Sequence, residues 1–235
     1  MKKITPILAC LLSIGVTGCN DDDDVNVTPD TEFAFDFNTE NHNAVAIFSD
    51  YPEGEETFYE LDSAYENLPS TFSDIKGWKL VGSNHSDDLY MGVKLPIDGF
   101  AAATLYKATL TADIVSNVSK NCVGIGGAPG ESVYVNLAAT KEEPSNTLEN
   151  GMYRLNFDKG HQAQSGTEGI VVGNIANSID CGLDPVYEQK NLAMTTSIDV
   201  MSDSEGTIWL TAGFDSGYEG KTEVFITKIS ATIVE

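Results

Sequence analysis

The sequence has few basic residues for its size. Its 235 residues include 13 Lys and Arg against 36 Asp and Glu, which gives a formal net charge of −23 at pH 7. A protein this anionic repels the phosphate backbone of nucleic acids, so we expect no nucleic-acid partner. It also repels anionic lipid head groups, so electrostatic attraction would not hold it on a membrane.

The sequence after residue 18 lacks a long apolar run and a sustained helical period. No run there is long and apolar enough for a transmembrane helix, and no segment repeats its apolar residues every 3.6 positions. Short alternations of apolar and polar residues predict strands instead, for example at 33–37, 89–95, 106–114, 133–137, 153–157 and 208–214. We expect an all-β fold, a two-sheet antiparallel β-sandwich of jelly-roll type with about ten strands.

The first eighteen residues have the pattern of a bacterial lipoprotein signal peptide. Lys2 and Lys3 are followed by an apolar run from Ile4 to Val16, which is shorter than a membrane span, and then by the lipobox Val16–Cys19. We expect cleavage before Cys19 and acylation of this residue. Residues 19–31 are then an acidic tether and 32–235 the β-sandwich domain. This predicts a lipid-anchored protein of the cell envelope, on the outer membrane, facing the periplasm or the cell surface.

Cysteine is scarce, with four residues in the whole chain. Cys10 would leave with the signal peptide and Cys19 would carry lipid. Cys122 and Cys181 remain as a pair in an oxidising compartment, which favours a disulfide between them. A redox or metal-binding pair would have closer spacing.

Patterns typical of catalysis are weak. The glycine-rich segment Gly124–Gly130 contains Pro129 and precedes a strand, whereas a phosphate-binding loop opens a helix. Glu60, Asp62 and Glu66 have the spacing of an exposed acidic segment rather than of a glycosidase pair. The three histidines stand apart, which favours surface positions over a zinc site. We therefore expect no catalytic residues, although the sequence leaves the question of enzymatic activity open.

A polar cluster at Asn84–Asp88 is the strongest candidate for a ligand site. Its carboxylate, amide and hydroxyl oxygens suit sugar hydroxyls or a Ca²⁺ ion, although the same residue types also cap tight turns. We expect this loop and the loop 158–177 to converge at one end of the sandwich. The candidate ligand-binding residues are Asn84, His85, Asp87, Asp88, Tyr90, Asp158, Asn174, Asn177, Asp215 and Tyr218.

Aromatic side chains supply a second feature of the predicted site. Tyr90 or Tyr218 would stack on a sugar ring. Trp209 has the opposite parity to Ile208 and Leu210, so it either stacks on a sugar from the outer sheet face or packs beneath a loop.

Six segments between residues 33 and 234 carry a family resemblance: Gly82–Met91, Leu105–Leu110, Gly130–Val135, Tyr153–Gly160, Gly173–Asn177 and Phe225–Ile229. Together they resemble a group of bacterial lipoproteins with a jelly-roll domain similar to carbohydrate-binding modules. The resemblance implies a fold and a location more than a function. Sugar-binding jelly rolls often carry an aspartate near the position that Thr227 occupies here, and its absence counts against their usual structural Ca²⁺ site. We therefore expect no cofactor and keep a structural Ca²⁺ ion as an alternative.

The leading hypothesis from the sequence is a non-catalytic, lipid-anchored protein that binds a glycan or another small ligand. One alternative is a hydrolase or lyase acting on polysaccharide, with carboxylates among Glu60, Asp62, Asp87 and Asp88. The other is a structural lipoprotein that binds a protein. A cleft lined by buried carboxylates would favour the enzyme, a flat aromatic face would favour sugar binding, and a large exposed apolar patch would favour the protein partner.

Overall fold

Two antiparallel β-sheets face each other in this protein, which confirms the predicted β-sandwich. The structure is a computed structural model that describes residues 30–235, so the predicted signal peptide, Cys19 and nearly all of the tether lie outside the described residues. The strands, in chain order, are β1 (Thr31–Asp36), β2 (Val45–Ser49), β3 (Asp62–Asn67), β4 (Lys76–Ser83), β5 (Leu89–Asp98), β6 (Leu105–Ser116), β7 (Val133–Thr140), β8 (Asn146–Glu149), β9 (Met152–Leu155), β10 (Gly160–His161), β11 (Gln164–Ser165), β12 (Gly169–Asn174), β13 (Glu188–Ala193), β14 (Ile198–Met201), β15 (Thr207–Ser216) and β16 (Lys221–Val234).

The larger sheet has seven strands and the smaller has five. The larger follows the order β13-β6-β16-β4-β3, with β1 also paired to β16 and β14 to β6, and the smaller follows the order β12-β7-β15-β5-β2. The hairpins β8–β9 and β10–β11 form two further small sheets. Within residues 30–235 the only helical element is a 3₁₀ turn at Ser70–Phe72, and no helix there is long and apolar enough to cross a membrane.

The hydrophobic core lies between the two sheets, because successive side chains of a strand point to opposite faces. In β5, Leu89, Met91 and Val93 belong to this core. Other strands contribute buried residues to the same core, both from the same sheet (Val135, Leu137, Leu210, Phe214) and from the facing sheet (Leu110, Ile114, Ile226, Ile229). The other face of β5 points away from the core and carries Tyr90 and Lys94.

The strand register shows which parts of the chain lie at each end of the sandwich. Thr31 pairs with Ile233, so the chain enters the domain beside the last residues of β16. The turn between β15 and β16 lies at the other end, where Asp215 pairs with Tyr90. Since β16 has 14 residues at roughly 3.3 Å each, the two ends are about 40 Å apart.

The predicted disulfide between Cys122 and Cys181 is confirmed, with Cα atoms 5.1 Å apart. It joins the β6–β7 connection to the β12–β13 connection, where Lys120 and Asp180 also form a β-bridge. The expectation that residues 158–177 form a loop needs correction, because β10, β11 and β12 lie within this segment.

Candidate functional site

A cleft opens at the end of the sandwich that is remote from Thr31. It measures about 210 Å³, and its lining residues are Asp50, Asp88, Arg154, Leu155, Phe157, Asp158, Lys159, Gly160 and His161. Three separate parts of the chain meet here: the residue that follows β2, the residue that precedes β5, and the segment from β9 to β10. The strand order of the smaller sheet brings these parts together, because β2 and β5 are neighbours that both end or begin at this edge.

Asp50 forms one wall of the cleft and has an unusual backbone conformation. Its φ of 65° lies in the left-handed region, which costs a non-glycine residue about 1–2 kcal/mol. Its N–H donates to the carbonyl of Tyr153 (2.9 Å), and its Oδ1 accepts from Arg154 Nη1 (2.5 Å). The turn therefore holds a carboxylate, only 3% exposed, against β9.

Lys159 is a buried cation at the base of the cleft. Its Nζ lies 2.6 Å from Asp215 Oδ2 and 3.3 Å from Asp50 Oδ2, and it also lies over the ring of Tyr90, 5.7 Å from the centroid. Burial alone would lower the pKa of this amine, but the surrounding carboxylates outweigh burial and raise it. Lys159 is therefore charged and neutralises two aspartates that have little access to water.

Asp88 and Asp215 form a second contact within the same cluster. The Oδ1 atom of each is buried and accepts no hydrogen bond from the described residues. Burial, followed by the hydrogen bond and charge of Asp215, raises the pKa of Asp88 to about 9. A proton on Asp88 would supply the missing donor between the two carboxyl groups.

The cluster thus brings three carboxyl groups, those of Asp50, Asp88 and Asp215, against the two cations Lys159 and Arg154. One oxygen from each aspartate lies within 4.8 Å of the others, a spacing that a metal ion could bridge. The Lys159 ammonium already supplies positive charge at that position.

The loop that carries Lys159 is fixed by its own hydrogen bonds. Asp158 accepts from the backbone of Gly160 (3.0 Å) and from both the N–H and the hydroxyl of Thr167 (2.9 Å each), and these bonds lower its pKa. Gln162 donates its N–H to Asp215 (2.8 Å) and its side-chain amide to the carbonyl of Asp87 (2.7 Å). The 158–162 segment and the 84–88 segment therefore meet, as the sequence predicted.

Some of the predicted residues build the surroundings of the cleft without lining it. Asn84 is buried and donates to the Ser216 carbonyl (2.8 Å), while its Oδ1 accepts from the Ser86 N–H (3.0 Å). His85 stacks on Phe58 with ring centroids 4.1 Å apart. The 84–88 segment is thus also a capped turn, which was the alternative interpretation of its composition.

Other predicted residues lie elsewhere. Asn174 accepts from Lys190 Nζ (2.6 Å) through its carbonyl, and Asn177 is buried with its amide bonded to the Val186 carbonyl (2.8 Å). Both therefore hold the connection that carries Cys181, and neither lies with the 84–88 segment as the sequence had predicted. Tyr218 packs beside the glycine-rich loop, where a Cβ on Gly124 would come within 2.5 Å of its ring.

Two aromatic expectations change with the structure. The proposed stacking of Tyr90 on a ligand needs correction, because its side chain is fully buried beneath Lys159. Trp209 does lie on the outer sheet face, half-buried, with Lys94 Nζ 5.7 Å from its ring centroid. It is six residues along β15 from Asp215, so it is distant from the cleft.

Four ionisable residues of the cleft were missing from the sequence-based selection of site residues: Asp50, Arg154, Lys159 and His161. One signal could have found Arg154, since it is the only arginine in the chain. The left-handed conformation of Asp50 and the burial of Lys159 have no signature in the sequence.

Comparisons with known proteins give similarity at the level of structure alone. No protein-family model matches the chain, and no curated protein matches it. Similar solved structures include the family 11 carbohydrate-binding module of the cellulosomal cellulase Lic26A-Cel5E of Clostridium thermocellum, with 10% identity over 86% of this chain and 94% of that one, and a TM-score of 0.41.

Two further similar structures have lower TM-scores. TmCBM61 in complex with β-1,4-galactotriose shows 11% identity over 83% of this chain and 92% of that one, with a TM-score of 0.34. The K1 cleaved adhesin domain of Lys-gingipain from Porphyromonas gingivalis W83 shows 9% identity over 86% and 97%, with a TM-score of 0.36. At these values the assignment to the β-sandwich class rests on the two sheets of this chain itself.

Proposed function

We propose that this protein is a lipid-anchored, extracytoplasmic binding protein whose ligand is a glycan, and that the cleft around Asp88, Arg154 and His161 holds that ligand. The observation that carries the proposal is the buried ion network beneath the cleft. Burying the charged groups of Asp50 and Lys159 costs free energy, and so does the left-handed backbone conformation of Asp50. Such a cost is typical of a site that needs fixed polar groups.

The groups that reach the cleft suit the hydroxyls of a sugar. The side chains of His161 and Asp88 are 68% and 15% exposed, and that of Arg154 is 41% exposed. A guanidinium donates, an imidazole donates or accepts, and the second oxygen of a neutral carboxyl accepts. Together they can satisfy a hydroxyl as both donor and acceptor, which orients a ring in a small polar cleft.

The position of the cleft supports the proposed anchoring. Lipid on Cys19 would hold the end of the domain at which the chain enters β1. The cleft lies at the opposite end, about 40 Å away along β16. It would therefore open away from the membrane, toward a ligand in the medium or the periplasm.

A glycan array tests the proposal. The full chain, purified in detergent so that any lipid is kept, should bind a restricted group of glycans. Binding should fall at least about tenfold in His161→Ala, because an exposed side chain is lost from the cleft without a cost to the fold. The exposed residue Asp199 belongs to a strand at the other end of the domain, so Asp199→Ala should bind as the unaltered protein does. Failure to bind any glycan would refute the proposal.

A second candidate function is a polysaccharide hydrolase or lyase, and the neutral Asp88 favours it. A carboxylic acid with a pKa of about 9 keeps its proton at pH 7 and could protonate a leaving oxygen. Glycoside hydrolysis also needs an ionised carboxylate that can reach the sugar or an attacking water. Asp50 and Asp215 are bound to Lys159 and nearly buried, which is why we place binding first. Reducing ends released from an array ligand by the full chain, and lost in Asp88→Asn, would favour the enzyme.

A further inference from the structure

The charge of the groups that a ligand can touch differs from the charge of the protein as a whole. The chain is strongly acidic, yet its only arginine lines the cleft. His161 lines the same cleft. At physiological salt, charges more than about 8 Å apart are largely screened, so these nearby groups determine which ligand charge the cleft accepts.

The carboxylates of Asp50 and Asp158, which line the cleft, are engaged by other groups of the protein. Asp50 is bound to Arg154 and Lys159, and both oxygens of Asp158 accept hydrogen bonds within their own loop. Asp215 lies behind Lys159 with 3% of its side chain exposed. Asp88 has an oxygen 3.9 Å from His161 Nε2, and burial raises its pKa, which lowers the negative charge that an anion would meet there.

The guanidinium of Arg154 has further capacity to donate. It carries five N–H groups in a planar fork. Among the described residues, Asp50 is its hydrogen-bond acceptor, through Nη1. The exposed remainder of the fork has the geometry that binds a carboxylate with two parallel hydrogen bonds.

We propose that the ligand of this cleft is an acidic sugar, whose carboxylate pairs with Arg154 and His161. The inference rests on the proposed glycan binding and adds the chemical class of the sugar. A uronic acid fits this description, since it has one carboxylate on a ring that otherwise offers hydroxyls.

Matched ligands and matched variants test it by isothermal titration calorimetry. The probes are oligosaccharides of galacturonic, mannuronic and glucuronic acid, each beside its methyl ester, which has the same ring and no charge. At least one acid should bind the full chain about tenfold or more tightly than its ester, since the ester cannot form the hydrogen-bonded charge pair with Arg154. Arg154→Gln should abolish that preference. Lys107→Gln removes the same charge from an exposed ion pair with Asp199, and it should leave the preference intact.

The outcomes separate this inference from the proposed function. Equal binding of acid and ester, or an unchanged preference in Arg154→Gln, would overturn the acidic-sugar inference and leave glycan binding in place. Binding of neutral glycans alone would do the same. If neither these probes nor any glycan of the array binds, both the proposed function and the inference are wrong.

Discussion

Replacing Lys159 with methionine should destabilise the protein strongly. Methionine has a similar volume, so the change removes the ammonium group and leaves little cavity. Asp215 and Asp50 then lose a cation at 2.6 and 3.3 Å while they stay buried. Removing one partner of a buried ion pair costs about 3–5 kcal/mol. For a chain of this length the melting temperature should fall by about 10 °C.

The loss of stability in Lys159→Met should also depend on pH. Without the ammonium, two carboxylates stay buried with no ammonium beside them, and burial disfavours a charged carboxylate. Acid, which neutralises carboxylates, should therefore relieve part of this cost, whereas alkaline pH should not. The deficit of Lys159→Met relative to the unaltered protein should therefore be smaller at pH 5 than at pH 8.

Urea unfolding of the full chain, followed by tryptophan fluorescence at both pH values, measures this effect. Lys107→Met is the control, because Lys107 is 62% exposed in its pair with Asp199, and exposed pairs contribute about 0–1 kcal/mol. A loss below about 1 kcal/mol in Lys159→Met, or an equal loss at the two pH values, would refute the role we assign to the buried ion network.

Three further predictions follow from the same account. Because the pKa of Asp88 is raised to about 9, its protonated form stabilises the fold at low pH, and this stabilisation is lost as the pH rises. Asp88→Asn should therefore have a free energy of unfolding at pH 8 that is higher than that of the unaltered protein by a few kcal/mol, and it should depend less on pH. Replacing Cys122 and Cys181 together with alanine should cost about 4 kcal/mol on the chain-entropy model, seen as a lower urea midpoint, and an unchanged midpoint would contradict this. Cys19→Ala should abolish metabolic labelling with a fatty acid, whereas persistent labelling would place the lipid elsewhere.

The fold was predictable because strands leave a period of two in the sequence. Leu89, Met91 and Val93 alternate with polar or small residues, and the structure places them in the core between the sheets. The same pattern was misleading for Tyr90, which has the parity of an outer face. That face is covered locally by Lys159, so both faces of β5 are buried at this point, and periodicity alone does not report a covering loop.

The site was only partly predictable because its members are distant in sequence. Asp50 and Arg154 are separated by 104 residues, and Lys159 and Asp215 by 56. Their meeting depends on strand order and register, which no local pattern specifies. Asp88 and Asp215 were selected for their polarity, but the raised pKa of Asp88 arises from its burial, which the sequence does not show. Asn174 and Asn177 have the same polar composition and instead support the connection near the disulfide.

The most direct test of glycan binding at the cleft is to block the cleft. His161→Cys, modified with a bulky maleimide, would place a large group over Asp88 and Arg154, whereas the modified Lys107→Cys would carry the same group at the other end of the domain. Binding of the array ligand to the full chain, measured by calorimetry before and after modification, should be lost for His161→Cys and kept for Lys107→Cys. Binding that survives the modification of His161→Cys would contradict the account, because the ligand would then be held elsewhere.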